Sequence, residues 1–110
     1  MSQPALGECT LAQVQGLVGS AFAVQGPTGA VSLRLVEVAD LGRRAADFKA
    51  PGGVSVRLEC FSLTFAGPTS QPLQQGTWSV TRDGRSEPEA VFLVPVQRAG
   101  DELRYEAVYF

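Results

Sequence analysis

The sequence contains no histidine, only two cysteines and a single lysine, and these shortages exclude whole classes of function. Without histidine, nucleophilic catalysis through a serine–histidine or cysteine–histidine pair is excluded. The two cysteines, Cys9 and Cys60, belong to no CxxC pair. A structural zinc site needs several Cys or His ligands at short spacing, so it is excluded as well. We expect no metal and no cofactor.

Cysteine placement leaves one question open. Cys60 lies within an apolar stretch, which favours a buried, unreactive thiol. Cys9 precedes the first predicted helix, and we expect it to be partly exposed. Two cysteines in a domain with an adequate core do not indicate a disulfide framework, although the sequence leaves a Cys9–Cys60 bond open.

Positive charge is neither abundant nor clustered. Nine Lys and Arg stand against eleven Asp and Glu, which makes the formal net charge −2. Nucleic-acid-binding domains concentrate basic residues and usually have a pI above ~9, whereas the pI here is about 5.0. We therefore expect no nucleic-acid partner.

Long apolar runs are also missing. The longest, Ala90–Val96, spans seven residues, against about 20 for a membrane helix. The segment Met1–Glu8 has no basic region ahead of an apolar stretch and is not a secretory signal. We expect synthesis in the cytoplasm and no membrane partner, and a place in an extracellular or phage-like assembly stays open.

The 110 residues, 45% of them hydrophobic, suit one domain with its own core. We predict a flexible leader over residues 1–9 and a single domain over residues 10–110. Thr10 and Gln13 have the spacing of a capping box, and the apolar residues that follow predict a short helix that ends at Gly19.

After the helix the apolar period becomes two, and we count six strands without a helical crossover between them. Phase slips at Val36 and between Cys60 and Phe61 predict either bulges or strands that pass from one packed surface to another, in a strongly bent sheet. Pro95 predicts a bulge or an edge position. The predicted fold is mainly β, a compact antiparallel barrel or roll of about six strands with one short N-terminal helix, and a sandwich stays open. The predicted core comprises Leu17, Phe22, Leu33, Leu35, Leu58, Phe61, Leu63, Phe65, Trp78, Phe92, Val94 and Tyr105.

Two regions are candidates for partner binding. The long connection 39–53 holds Arg43, Arg44, Asp47 and Lys49. The arginine pair either contacts an acidic partner surface or a phosphate, or belongs to an ordinary solvated loop. Tyr109 and Phe110 end the last strand, where they either seal the core or pair with another chain. Carboxylates such as Glu87 and Glu89 are more typical of solvated strand residues than of a catalytic pair, so we do not expect an enzyme.

Several segments together resemble a family of short, uncharacterised bacterial proteins, a domain of unknown function. They are Leu11-x-x-Val14-x-x-Leu17-Val18-Gly19-Ser20-x-Phe22, Leu33-x-Leu35-Val36-Glu37-Val38, Phe61-Ser62-Leu63-x-Phe65-x-Gly67-Pro68, Gln75-Gly76-Thr77-Trp78, Phe92-Leu93-Val94-Pro95-Val96 and Tyr105-Glu106-Ala107-Val108-Tyr109. Genes of this family often lie near those of phage tail-collar-like fibre proteins. The resemblance implies a small β domain that acts with a fibre, and it carries no catalytic residues to transfer.

These observations support two functional hypotheses. The first is a non-enzymatic protein-interaction or structural module, a component or assembly factor of a phage-tail-like or fibre assembly, whose partner is a fibre or tail-collar-like protein or a second copy. The alternative is a small barrel that binds an apolar ligand in its interior.

Overall fold

Six antiparallel strands close into a barrel in the computed structural model, which describes residues 5–27, 29–43 and 59–109. A short 3-10 helix and one α-helix precede the strands. The elements are the 3-10 helix Leu6–Glu8, α1 Leu11–Gln15, β1 Ala21–Gly26, β2 Gly29–Arg43, β3 Glu59–Pro68, β4 Gly76–Arg82, β5 Glu89–Ala99 and β6 Glu102–Tyr109.

The strand order around the barrel is β1-β2-β3-β6-β5-β4, and β4 closes on β1. Every pair of neighbours is antiparallel. Strands β4, β5 and β6 are consecutive neighbours, and β3 lies beside β6, which is a Greek-key arrangement. The predicted mainly β fold with a six-strand antiparallel barrel and one short helix is confirmed, and the question of barrel or sandwich is answered in favour of the barrel.

The predicted helix start is correct, but the helix is shorter than expected. The backbone N–H of Gln13 donates to Thr10 Oγ1 (3.2 Å) and the N–H of Thr10 donates to Gln13 Oε1 (2.8 Å), which completes the capping box. The helix stops at Gln15, with Gly16 as its C-cap, instead of continuing to Gly19. Glycine is a poor helix former, so the chain leaves the helix there.

We expect Thr10→Ala to lower the free energy of unfolding by about 1 kcal/mol. Its hydroxyl accepts the Gln13 N–H at the exposed start of α1, and loss of an N-cap hydroxyl has about this cost. Urea unfolding of the two proteins measures the difference. Thr77→Ala, which removes an exposed hydroxyl near the start of β4, is the matched control, and an equal loss in both variants would contradict the capping role.

One bulge lies at the predicted phase slip of β2, and a second lies in β2 opposite the predicted slip of β3, which itself has no extra residue. The pairing of β2 with β3 shifts between Leu35 and Glu37, so that Val36 is the extra residue, and again between Asp40 and Gly42, opposite Phe61 and Cys60. The pairing of β5 with β6 shifts just after Pro95. Each bulge bends its strand and increases its twist, which a six-strand barrel needs in order to close.

The barrel interior is filled with large side chains from all six strands. The rings of Phe22 and Phe65 meet edge to face with centroids 5.1 Å apart. The prediction that Phe92 and Val94 lie in the core is wrong, because Val91 and Leu93 are the buried residues of β5. Of the other predicted core residues, Leu17 and Trp78 are half-buried against the core and Leu58 lies outside the described residues, while Phe22, Leu33, Leu35, Phe61, Leu63, Phe65 and Tyr105 are buried.

The N-terminal segment packs against the core. Leu6 is fully buried, and its backbone N–H donates to Glu89 Oε2 at the start of β5 (2.8 Å). Cys9 is buried too, which corrects its expected partial exposure, and Cys60 is a buried free thiol, so the two cysteines are not joined. Leu6 and Cys9 thus pack against the barrel, and the flexible leader over residues 1–9 stays a prediction.

At the opposite end of the barrel, the connection from β3 to β4 covers the opening. These strands are separated by β6 and β5 in the barrel, so residues 69–75 must cross the end. Leu73 is buried in this crossing, and its backbone N–H donates to the hydroxyl of the fully buried Tyr105 (2.9 Å). The length of this polar connection thus has a structural purpose.

Candidate interaction surface

The structure describes few of the side chains that we predict to bind a partner. Arg43 is the last described residue of β2, and the predicted residues Arg44, Asp47, Lys49 and Phe110 lie outside the described residues. The structure therefore does not bring the predicted set together as a site.

Tyr109 is the one predicted partner-binding residue whose side chain is described. It ends β6, where it pairs with Phe61 of β3, and its ring lies 5.4 Å from the Phe61 ring, centroid to centroid. The side chain is half-buried and packs against the core. For Tyr109 the packing corresponds to the core-sealing alternative, and Phe110 lies outside the described residues.

Large apolar side chains lie on the outside of β5 and β6. Phe92 is 53% exposed, Val96 51% and Val108 41%, and Val94 is half-buried opposite Glu106. We call these four residues the outer apolar surface, and sequence reasoning missed it. The signal that could have found it is the apolar run Ala90–Val96. Successive side chains of a strand point to opposite faces of the sheet, so only about half of such a run can point into the barrel.

Strand β2 extends well beyond the part that pairs with β1. Strand β1 pairs with residues 29–34 of β2 only, and β3 pairs with β2 from Arg34 to Arg43. Near its end, Asp40 Oδ1 accepts the backbone N–H of Gly42 (2.8 Å), and Gly42 has φ +100°, a conformation that glycine adopts without strain. Leu41, the extra residue of the second bulge, is 47% exposed.

Charged groups connect the N-terminal segment with one end of the barrel. Arg85 lies 3.2 Å from Glu89, nitrogen to oxygen, and both side chains are largely buried. The same Glu89 carboxylate accepts the Leu6 N–H, so one acidic side chain connects the N-terminal segment with the β4–β5 turn. Hydrogen bonds to a charged group contribute about 1.5–3 kcal/mol, which makes this junction a structural one.

A surface groove of about 450 Å³ runs along the outside of β1, and its floor consists mainly of small side chains. Arg82, buried beneath it, and Arg85 contribute positive charge at one end of the groove, while Asp83 contributes a negative one. Within residues 5–27, 29–43 and 59–109, no three of the Cys, Asp and Glu side chains group in a way that could hold a metal ion. The helices in the same part of the chain are all too short to cross a membrane.

A closed six-strand antiparallel barrel with a filled interior and a short N-terminal helix defines the class of protein: a small β-barrel domain. Its family follows from comparison with family models. Residues 9–109 match the model described as Domain of unknown function (DUF6916), and the chain belongs to this family. Searches of curated proteins and of solved structures found no match.

Proposed function

We propose that this domain is a non-enzymatic interaction or structural module, a component or assembly factor of a phage-tail-like or fibre assembly. The observation that carries the proposal is the outer apolar surface. Grouped apolar side chains that stay exposed on a folded domain are typical of contacts with other proteins. Phe92 is the largest of them, and an exposed aromatic ring is the kind of residue that dominates binding energy at protein interfaces.

The interior supports this proposal over a bound apolar ligand. Barrels that hold a small molecule keep a cavity inside, whereas a small barrel can be filled by its own side chains. Here Phe61, Phe65 and Tyr105 are buried with the aliphatic side chains around them, and the two ends carry Leu6 and Leu73. We therefore place the binding surface on the outside of the barrel.

The finer part of the proposal, a fibre or tail-collar-like partner, comes from the resemblance described above and from the absence of any catalytic histidine in the chain. A structural or assembly role needs shape and surface instead of reactive groups. The domain meets this requirement with a rigid closed sheet that presents apolar side chains on its outer face.

The test is a tagged pull-down from the lysate of the source organism, with the eluates identified by mass spectrometry. We expect the parent domain to recover a fibre or tail protein, and Phe92→Ser to reduce its recovery by about tenfold or more, because hot-spot residues cost at least about 2 kcal/mol when truncated. Val18→Ser is the matched control, since Val18 is similarly exposed on a different surface.

A second bait, Arg43→Ala/Arg44→Ala, tests the connection 39–53. Loss of the partner with this variant, but not with Phe92→Ser, would move the contact from the outer apolar surface to that connection. Equal recovery with all variants would remove both surfaces from the proposal. An empty eluate from the parent would contradict the interaction module itself and favour a screen for ligands.

A further inference from the structure

One stretch of β2 has a strand on one side only. Beyond residue 34, β2 no longer pairs with β1, and Leu35 instead bonds to the chain that enters β1: its N–H donates to the Ser20 carbonyl (3.1 Å) and its carbonyl accepts from the Gly19 N–H (2.7 Å). Further along, β3 continues to pair with β2, but no strand within the described residues pairs with the other edge.

The register shows which backbone groups point to that edge. Leu35 bonds away from β3, so its pair with Phe65 is a non-hydrogen-bonded one. Hydrogen-bonded and non-hydrogen-bonded pairs alternate along an antiparallel ladder. Across the Val36 bulge the next pair is Glu37 with Thr64, and in this pair the backbone groups of Glu37 point towards β3. The alternation then leaves Val38 and Asp40 with their N–H and carbonyl groups directed away from β3.

Four backbone groups are therefore presented on a short stretch, which we call the β2 edge (Val38–Asp40). A strand rises about 3.4 Å per residue, so the edge is long enough for about three residues of an added strand. The bulges at Val36 and Leu41 close the stretch on both sides, because a bulge interrupts regular pairing. This geometry favours a short extended segment over a long strand.

Charge decides which segment fits. Glu37 and Asp40 are exposed beside the β2 edge, and they are nearer to it than the basic residues of the strand, Arg34 and Arg43. A second copy that paired antiparallel about Ala39 would place its Asp40 diagonally beside this Asp40, which is unfavourable because like charges would lie close together. Basic side chains on an added strand would instead face opposite charges, and Leu41 would offer an apolar contact.

We propose that the β2 edge binds a short extended segment of a partner protein that carries basic side chains, by β-strand addition. In this mode, backbone hydrogen bonds supply affinity and alternate side chains supply specificity. The proposal rests on the proposed function as an interaction module and names the chemistry of the segment that the module recognises.

The probe is an end-capped hexapeptide of alternating lysine and valine, compared with its glutamate–valine counterpart, and the readout is amide hydrogen exchange of the full chain by NMR. Without peptide, we expect the amides of Val38 and Asp40 to exchange faster than the Ala39 amide, which bonds to β3. The lysine peptide should slow exchange at Val38 and Asp40 together, and the glutamate peptide should not.

Glu37→Lys supplies the charge test. We expect it to weaken binding of the lysine peptide by about twofold to fivefold, the range for one exposed ion pair, and to strengthen binding of the glutamate peptide. Asp101→Lys makes the same change of charge in the turn at the opposite end of the barrel and should leave both affinities unchanged.

The inference is overturned if saturating lysine peptide leaves exchange at Val38 and Asp40 unchanged, or if Asp101→Lys weakens binding as much as Glu37→Lys. The proposed function fails separately. If a fibre protein is captured through Phe92 but the lysine peptide does not bind, the proposed interaction module is supported and binding at the β2 edge is contradicted. If the lysine peptide binds but the pull-down recovers no fibre protein, binding at the β2 edge is supported and the proposed fibre partner is contradicted.

Discussion

Replacing Leu6 with alanine should lower the free energy of unfolding by about 2–5 kcal/mol, the range for a leucine removed from a packed core. Leu6 is completely buried, although it lies in a stretch of sequence that has no apolar period. The truncation would leave a cavity between the N-terminal segment and the barrel. It would also loosen the 3-10 helix that directs the Leu6 N–H to Glu89. Urea unfolding followed by tryptophan fluorescence measures the loss, since the chain has one tryptophan, Trp78.

Two comparisons give this result its meaning. Val18→Ala removes an exposed apolar group from the same N-terminal region and should cost less than about 0.5 kcal/mol. Leu93→Ala removes an equally buried leucine from the barrel wall and should match Leu6→Ala. A Leu6→Ala protein as stable as the parent would mean that residues 5–9 leave the barrel in solution, as a flexible leader would.

Local chemistry accounts for the features that sequence reasoning predicts well. The capping box needs only Thr10 and Gln13, three residues apart, and both of its hydrogen bonds are present. The bulge at Val36 follows from a change of phase within one strand, and the bulge after Pro95 follows from a residue that cannot donate to a ladder. Each of these signals lies within a few residues of its effect.

Features that depend on distant partners escape the same reasoning. In the run Ala90–Val96 either face could point inward, and the face is chosen by pairing with β4, which places Val91 beside Trp78. A shift of one residue moves every side chain of a strand to the opposite face of the sheet. Phe92, which we predict in the core, therefore lies on the outside of the barrel. Burial of Leu6 likewise depends on an acceptor, Glu89, that lies 83 residues further along the chain.

The candidate surfaces show the same difference between local signals and features that depend on distant partners. Arg43 and Tyr109 could be singled out from residue type and position along the chain. The outer apolar surface and the β2 edge could not, because each exists only through the way the barrel closes. Among the described residues no strand pairs with the β2 edge, because β1 stops pairing at the register of Ala21 with Arg34, and nothing near Val38 indicates where β1 begins.

Replacing Tyr105 with phenylalanine should lower the free energy of unfolding by about 1–3 kcal/mol, the cost of leaving a buried backbone donor without its acceptor. The ring itself would stay in place, fully buried on β6, so packing changes little. What is lost is the bond from the Leu73 N–H to the tyrosine hydroxyl, which fastens the crossing residues 69–75 over the end of the barrel. The variant should therefore expose this connection more often than the parent does.

Hydrogen exchange separates this effect from a general loss of stability. We expect the Leu73 amide to exchange faster in Tyr105→Phe even under conditions that leave the amides of β3 and β6 protected, because the connection can open without unfolding the barrel. Ser79→Ala removes an exposed hydroxyl from β4 and should change neither stability nor exchange at Leu73. If Tyr105→Phe is as stable as the parent and leaves the Leu73 amide equally protected, another acceptor holds that amide. In that case the packing of the Leu73 side chain alone keeps the barrel end closed.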